Sequence, residues 1–81
     1  MTILAFADDL TLTRSGIRMT QLHDELWRVT KAEGEVLGYV ERFSVHDGLR
    51  YRAKRLIARQ RRFIVMGEFW SVDDAIEVFR G

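Results

Sequence analysis

The chain reads as an α+β domain, a three- to four-stranded antiparallel β-meander with one C-terminal helix packed on one face, and three observations predict it. From Trp27 onward, short runs rich in Val, Tyr, Phe and Ile are separated by turn residues. His46-Asp47-Gly48 places Asp-Gly between two such runs, a strong short-range hairpin signal. Val72, Ala75, Ile76 and Phe79 then recur at helical spacing behind Ser71. With 81 residues and no Cys, the expectation is one domain, near the size at which a single core becomes marginal and with neither disulfides nor thiolate metal sites to support it.

Residues 1–18 are expected to be a poorly structured N-terminal extension, because they carry no clear strand partner and Ser15-Gly16 breaks the chain just before Met19. The alternative is a strand over Ile3 to Phe6 or Leu10 to Thr13, pairing on the sheet edge. Residues 19–81 form the domain, opening with a short helix over Met19 to Leu26. Leu26 to Thr30 is the first strand, with Trp27 and Val29 on one face. Lys31-Ala32-Glu33-Gly34-Glu35 follows as a turn, its Gly able to supply a positive φ. Val36 to Val45 is the second strand. The third, Leu49 to Ile57, alternates Leu49, Tyr51 and Ala53 with Arg50, Arg52 and Lys54, which separates apolar residues from cations by face. Ala58 to Arg61 is a polar turn, and Arg62 to Glu68 a fourth strand. Ser71 is the expected N-cap of a helix over Val72 to Arg80, with Asp73 and Asp74 in the first turn where the helix dipole favours them. At that length its helicity must come from packing.

Charge is sorted along the chain. Counting Lys and Arg against Asp and Glu, residues 1–47 carry −3, residues 48–67 carry +7 and residues 68–81 carry −3. A concentrated positive field attracts polyanions even when the whole molecule is nearly neutral. Arg50, Arg52 and Lys54 recur every second residue, about 6.6 Å apart, comparable with the spacing of phosphates along a nucleic-acid strand. Arg59, Arg61 and Arg62 extend the patch at the neighbouring turn. The leading expectation is therefore a small non-enzymatic nucleic-acid-binding module that uses a basic sheet face, duplex DNA being the favoured partner. The competing account pairs these cations with Glu35, Glu41 or Glu68 across the strands and makes the protein a homodimeric protein-protein interaction module. Phe69 and Trp70 are the candidate interface residues, since adjacent residues of an extended segment point to opposite faces and only one can join the core.

Other chemistry finds little footing. His46 precedes a turn and His23 lacks a convincing third ligand, so no metal and no cofactor is expected. Ser15, Ser44 and Ser71 stand in no nucleophile motif, and no catalytic residues are assigned. Thr2 to Leu12 is interrupted by Asp8 and Asp9 and lacks a basic flank, so neither a signal peptide nor a membrane span is expected and the location expected is cytoplasmic. Phe6-Ala7-Asp8-Asp9-Leu10 resembles the aromatic-Ala-Asp-Asp hairpin of reverse transcriptases. A polymerase palm needs a larger domain and a further carboxylate, so these are read as turn or capping carboxylates.

Three antiparallel strands followed by a helix, basic residues on the middle strands and Gly67-x-Phe69-x-Ser71-x-x-x-Ala75 leading into the helix make the stretch from about Glu35 to Phe79 similar to the N-terminal arm-binding domain of tyrosine integrases, an AP2-like fold. That family lays its sheet in the major groove. The resemblance implies that Arg50, Arg52, Lys54 and Arg62 sit where such domains contact DNA, and that the protein is of phage or mobile-element type. Two features depart from the pattern: no catalytic domain follows, and Trp27 to Thr30 adds a strand.

Overall fold

Alternation of apolar and polar residues, interrupted by two- to four-residue turns, builds one continuous antiparallel sheet. The computed structural model describes residues 11–14 and 16–80. Its strands are β1 (Thr11–Arg14), β2 (Ile17–His23), β3 (Leu26–Lys31), β4 (Val36–Val45), β5 (Gly48–Ile57) and β6 (Arg62–Phe69), followed by α1 (Val72–Glu77). A single 3₁₀ turn, Ala58–Gln60, separates β5 from β6. Each strand pairs with its sequence neighbour, in the order β1-β2-β3-β4-β5-β6. Six strands thus stand where three or four were expected, and the antiparallel sheet with a C-terminal helix is as expected.

The two extra strands lie at the N-terminal side. Met19 to Leu26, expected as a helix, is instead the rest of β2 to His23, a turn at Asp24 and Glu25, and the start of β3, with Met19 opposite Val29 and Gln21 opposite Trp27. Ile17 and Met19 are buried while Arg18 between them is exposed, the two-residue period of a sheet. Met, Gln and Leu are good helix formers, but the apolar inner face of β3 rewards the extended alternative, and packing overrides the weak local preference. The sheet also begins before the boundary expected at residue 19. Thr11–Arg14 pairs with Thr20–Ile17, and Ile17, 5% exposed, belongs to the core. This agrees with an edge strand close to Leu10–Thr13. Ile3 to Phe6 and the Phe6-Ala7-Asp8-Asp9-Leu10 segment lie outside the described residues.

One face of the sheet carries the core. Ile17, Met19, Val29, Leu37, Val40 and Ala53 are buried against one another and against Ala75, Ile76 and Phe79, with Trp27, Tyr51, Phe69, Val72 and Val78 packed around them. The helix is capped as the sequence indicates, Ser71 Oγ accepting from the Asp74 amide at 3.1 Å. It closes after six residues rather than nine, yet Phe79 remains 4% exposed because the Phe79 amide still bonds to the Ile76 carbonyl and turns the ring inward. Gly38 of β4 makes that seat. A methyl group there would meet the Lys54 backbone and lie 2.8 Å from Phe79 Cε1.

Turn chemistry sets the register. His46 and Asp47 form a two-residue turn, leaving Val45 opposite Gly48. Counting back from that pair places Phe43 opposite Arg50, Glu41 opposite Arg52 and Tyr39 opposite Lys54. Between β5 and β6 the register shifts at Ala53/Lys54, so that Gly67 faces Ala53 while Val65 faces Lys54, leaving Met66 as the extra residue of a bulge. Gly67 there has φ +157°.

Candidate nucleic-acid interface

The sheet has a second face, turned away from the helix, and the cations of β5 lie on it. Because Ala53 points to the core, Arg50, Arg52 and Lys54 point the other way. Three cross-strand rows follow from the pairing. Arg50 stands beside Phe43; Arg52 stands between Glu68 and Glu41, with Leu26 beyond; Lys54 stands between Val65 and Tyr39, with Arg28 beyond. No described helix covers this face, since α1 contacts β4, β5 and β6 on the core side.

Each of the three cations is held in place. Arg50 donates to the Glu68 carbonyl at 2.9 Å and its guanidinium lies 4.3 Å over the Trp70 ring. Its Nε is buried without a hydrogen-bond partner. Arg52 donates through Nε to Glu68 Oε2 at 3.0 Å, reaches Glu41 at 3.7 Å and lies 4.4 Å over Phe43. Lys54 Nζ is 3.2 Å from Glu41 Oε2. The cross-strand pairing with Glu41 and Glu68 is therefore present, and Glu35 is bonded elsewhere, to Lys31 at 3.3 Å. Pairs this exposed contribute no more than about 1 kcal/mol each. Their main effect is to fix where the cations sit. Three cations face two carboxylates, and Arg28 and Arg18 on the neighbouring strands of the same face leave it net positive.

Aromatic rings lie between the charges. Trp70 is 57% exposed and Phe63 47% exposed, and Phe63 meets Tyr39 edge-on at 5.6 Å between centroids. Two shallow hollows flank Glu41, one lined by Leu26, Tyr39, Lys54 and Phe63 and the other by His23, Leu26, Phe43 and Arg52. Cations stacked on rings beside further exposed rings make a surface suited to flat, anionic ligands.

The remaining sequence candidates are distributed differently. Arg59 is in the 3₁₀ turn and Arg61 follows it with φ +53°, both exposed at one end of the sheet. Arg62 opens β6 opposite Ile57, on the side away from Arg50, Arg52 and Lys54. Phe69 packs against the core, and its neighbour Trp70 points to solvent. Phe43, Tyr39 and Phe63 were missed as site residues. The two-residue turn after Val45 was the signal for the first two, because it dictates which residues face the cations.

Among the described residues, no group of three or more His, Cys, Asp or Glu side chains converges as a metal site. Among them, too, no helix is long and apolar enough to cross a membrane. No family model, curated protein or solved structure matches the chain.

Proposed function

We propose that the protein is a non-enzymatic nucleic-acid-binding module whose outer sheet face holds a single strand, its phosphates on Arg50, Arg52 and Lys54 and its bases against Trp70, Phe43 and Phe63. The observation that carries this reading is the interleaving of fixed cations with the rings of Phe43, Phe63 and Trp70, the last two exposed, on one face that no described helix covers. Bases offer their π-faces to such rings only when unstacked, which favours a single strand over a duplex. Width favours it as well. Six strands span five spacings, about 24 Å at roughly 4.8 Å each, against a major groove about 12 Å wide. The duplex docking implied by the likeness to integrase arm-binding domains would have to use one edge of the sheet.

Glu41 and Glu68 make the binding conditional. A phosphate must displace or share these carboxylates, so each cation offers less than a free guanidinium would, in exchange for a position already set. Affinity should be modest and strongly dependent on salt.

Two variants separate the parts. Replacing Arg50, Arg52 and Lys54 together by Gln should make the slope of log K against log salt on an oligothymidine shallower by about 2 units, each lost contact removing about 0.7. Trp70→Ala should weaken binding by about 5- to 150-fold with the slope unchanged, the effect of one lost stacking platform. Neither variant altering affinity would remove this face from nucleic-acid recognition.

A further inference from the structure

The last strand of the sheet has an apolar run of which nucleic-acid binding uses only Phe63. Phe63, Ile64, Val65 and Met66 are consecutive residues of β6, and they are 47%, 41%, 55% and 43% exposed. In the described structure β6 pairs only with β5 and stands at the edge of the sheet. Alternate residues of an edge strand aim their N–H and C=O groups outward, and edges are ordinarily blunted by charge, proline or a bulge to prevent pairing. Here the run has no Pro and no charge between Arg62 and Glu68, and the bulge at Met66-Gly67 comes only after it.

We infer that β6 is a self-association edge, pairing antiparallel with β6 of a second copy about a two-fold axis at Ile64. The bulge limits the regular stretch to Arg62–Met66, and Ile64 is its midpoint. Pairing about that midpoint sets Ile64 opposite the second copy's Ile64 on the core side. It sets Phe63 opposite the second copy's Val65 on the outer side, so apolar residues meet apolar residues on both faces.

Charge selects the same arrangement. The two Arg62 residues stand four positions apart along the paired strands, about 14 Å at roughly 3.4 Å per residue, beyond the screening length of about 8 Å at physiological salt. Each cationic turn, Arg59 to Arg62, instead runs alongside the second copy's Glu68. A parallel pairing would stack Arg61 and Arg62 of both copies side by side.

A two-fold axis normal to the sheet leaves both outer faces on the same side. The pair would present one twelve-stranded surface with two sets of Arg50, Arg52, Lys54 and Trp70. The association itself depends only on β6 and stands whether or not nucleic acid is bound. Five paired residues bury less than a standard interface, so dissociation at tens of micromolar is expected rather than nanomolar.

The chain contains no Cys, which gives a test specific to the register. Opposed residues in an antiparallel pair have Cα atoms about 4.5 to 5.5 Å apart, within disulfide range, whereas the two Met66 positions are about 14 Å apart. Under mild oxidation Ile64→Cys should form a covalent dimer at least about tenfold faster than Met66→Cys. In sedimentation from about 10 to 300 µM the unmodified chain should pass from monomer to dimer, and Val65→Lys should raise the dissociation constant at least about tenfold while melting within a few degrees of the parent. Equal cross-linking of the two Cys variants, or a monomer throughout that range, overturns the proposal.

Discussion

Phe79→Ala tests whether so short a helix is held by a single ring. The side chain is 4% exposed and rests on Gly38, which has no side chain to move into the space left behind. Poor collapse places the cost in the upper part of the range for such truncations, about 3 to 5 kcal/mol. A domain of this size has roughly 4 to 12 kcal/mol in total, so the variant should be near the limit of folding. At about 4 to 8 °C per kcal/mol the thermal midpoint should fall by about 12 to 40 °C. Urea melts followed by circular dichroism measure it, with a midpoint shift of about 2 to 3.3 M for a slope near 1.5 kcal/mol/M. If the alanine variant is unfolded throughout, Phe79→Leu should still fold and show a loss of about 1 to 2 kcal/mol. A change below about 0.5 kcal/mol for Phe79→Ala would refute the packing argument, because it would mean the ring covers nothing that the fold requires.

Gly38→Ala should destabilise by more than about 2 kcal/mol, since the new methyl meets the Lys54 backbone as well as the Phe79 ring; a melt unchanged from the parent would contradict that close approach. Removing residues 1–18 should lower the thermal midpoint by more than about 10 °C, because it deletes β1 and the buried Ile17. Truncation without loss would mean that β1 and Ile17 are dispensable. Replacing Arg50, Arg52 and Lys54 by Gln should change stability by less than about 2 kcal/mol in a denaturant melt, as half-exposed pairs contribute little; a larger loss would show that these cations hold the sheet together.

What was legible in the sequence followed from strong local signals. Ser71, Asp73, Asp74 and the spacing of Ala75, Ile76 and Phe79 marked the helix start, which depends on capping and period alone. Its end was less legible, because Phe79 is buried through a tight turn that keeps the helical spacing without continuing the helix. The alternation of Arg50, Arg52 and Lys54 with Tyr51 and Ala53 placed the cations on one face. β2 was hidden because Met19, Gln21 and Leu22 suit a helix as readily as a strand, and only the apolar face of Val29 and Trp27 decides between them. Arg62 was grouped with the patch by proximity in sequence, but the turn through Arg61 sends it to the other side. The pairing of Arg52 with Glu41 and Glu68 depends on register across three strands, which only the two turns together determine.

The central claim is that the outer face recognises a single strand by charge and stacking together. Titrating the unmodified protein against a fluorescent oligothymidine and a hairpin duplex, at several salt concentrations from about 50 to 300 mM, tests it directly. The account expects tighter binding to the single strand and a log K against log salt slope of about −2 to −3, corresponding to three or four phosphate contacts at about 0.7 each. No binding to either at about 50 mM salt, or an affinity for the single strand that does not change with salt, would contradict it.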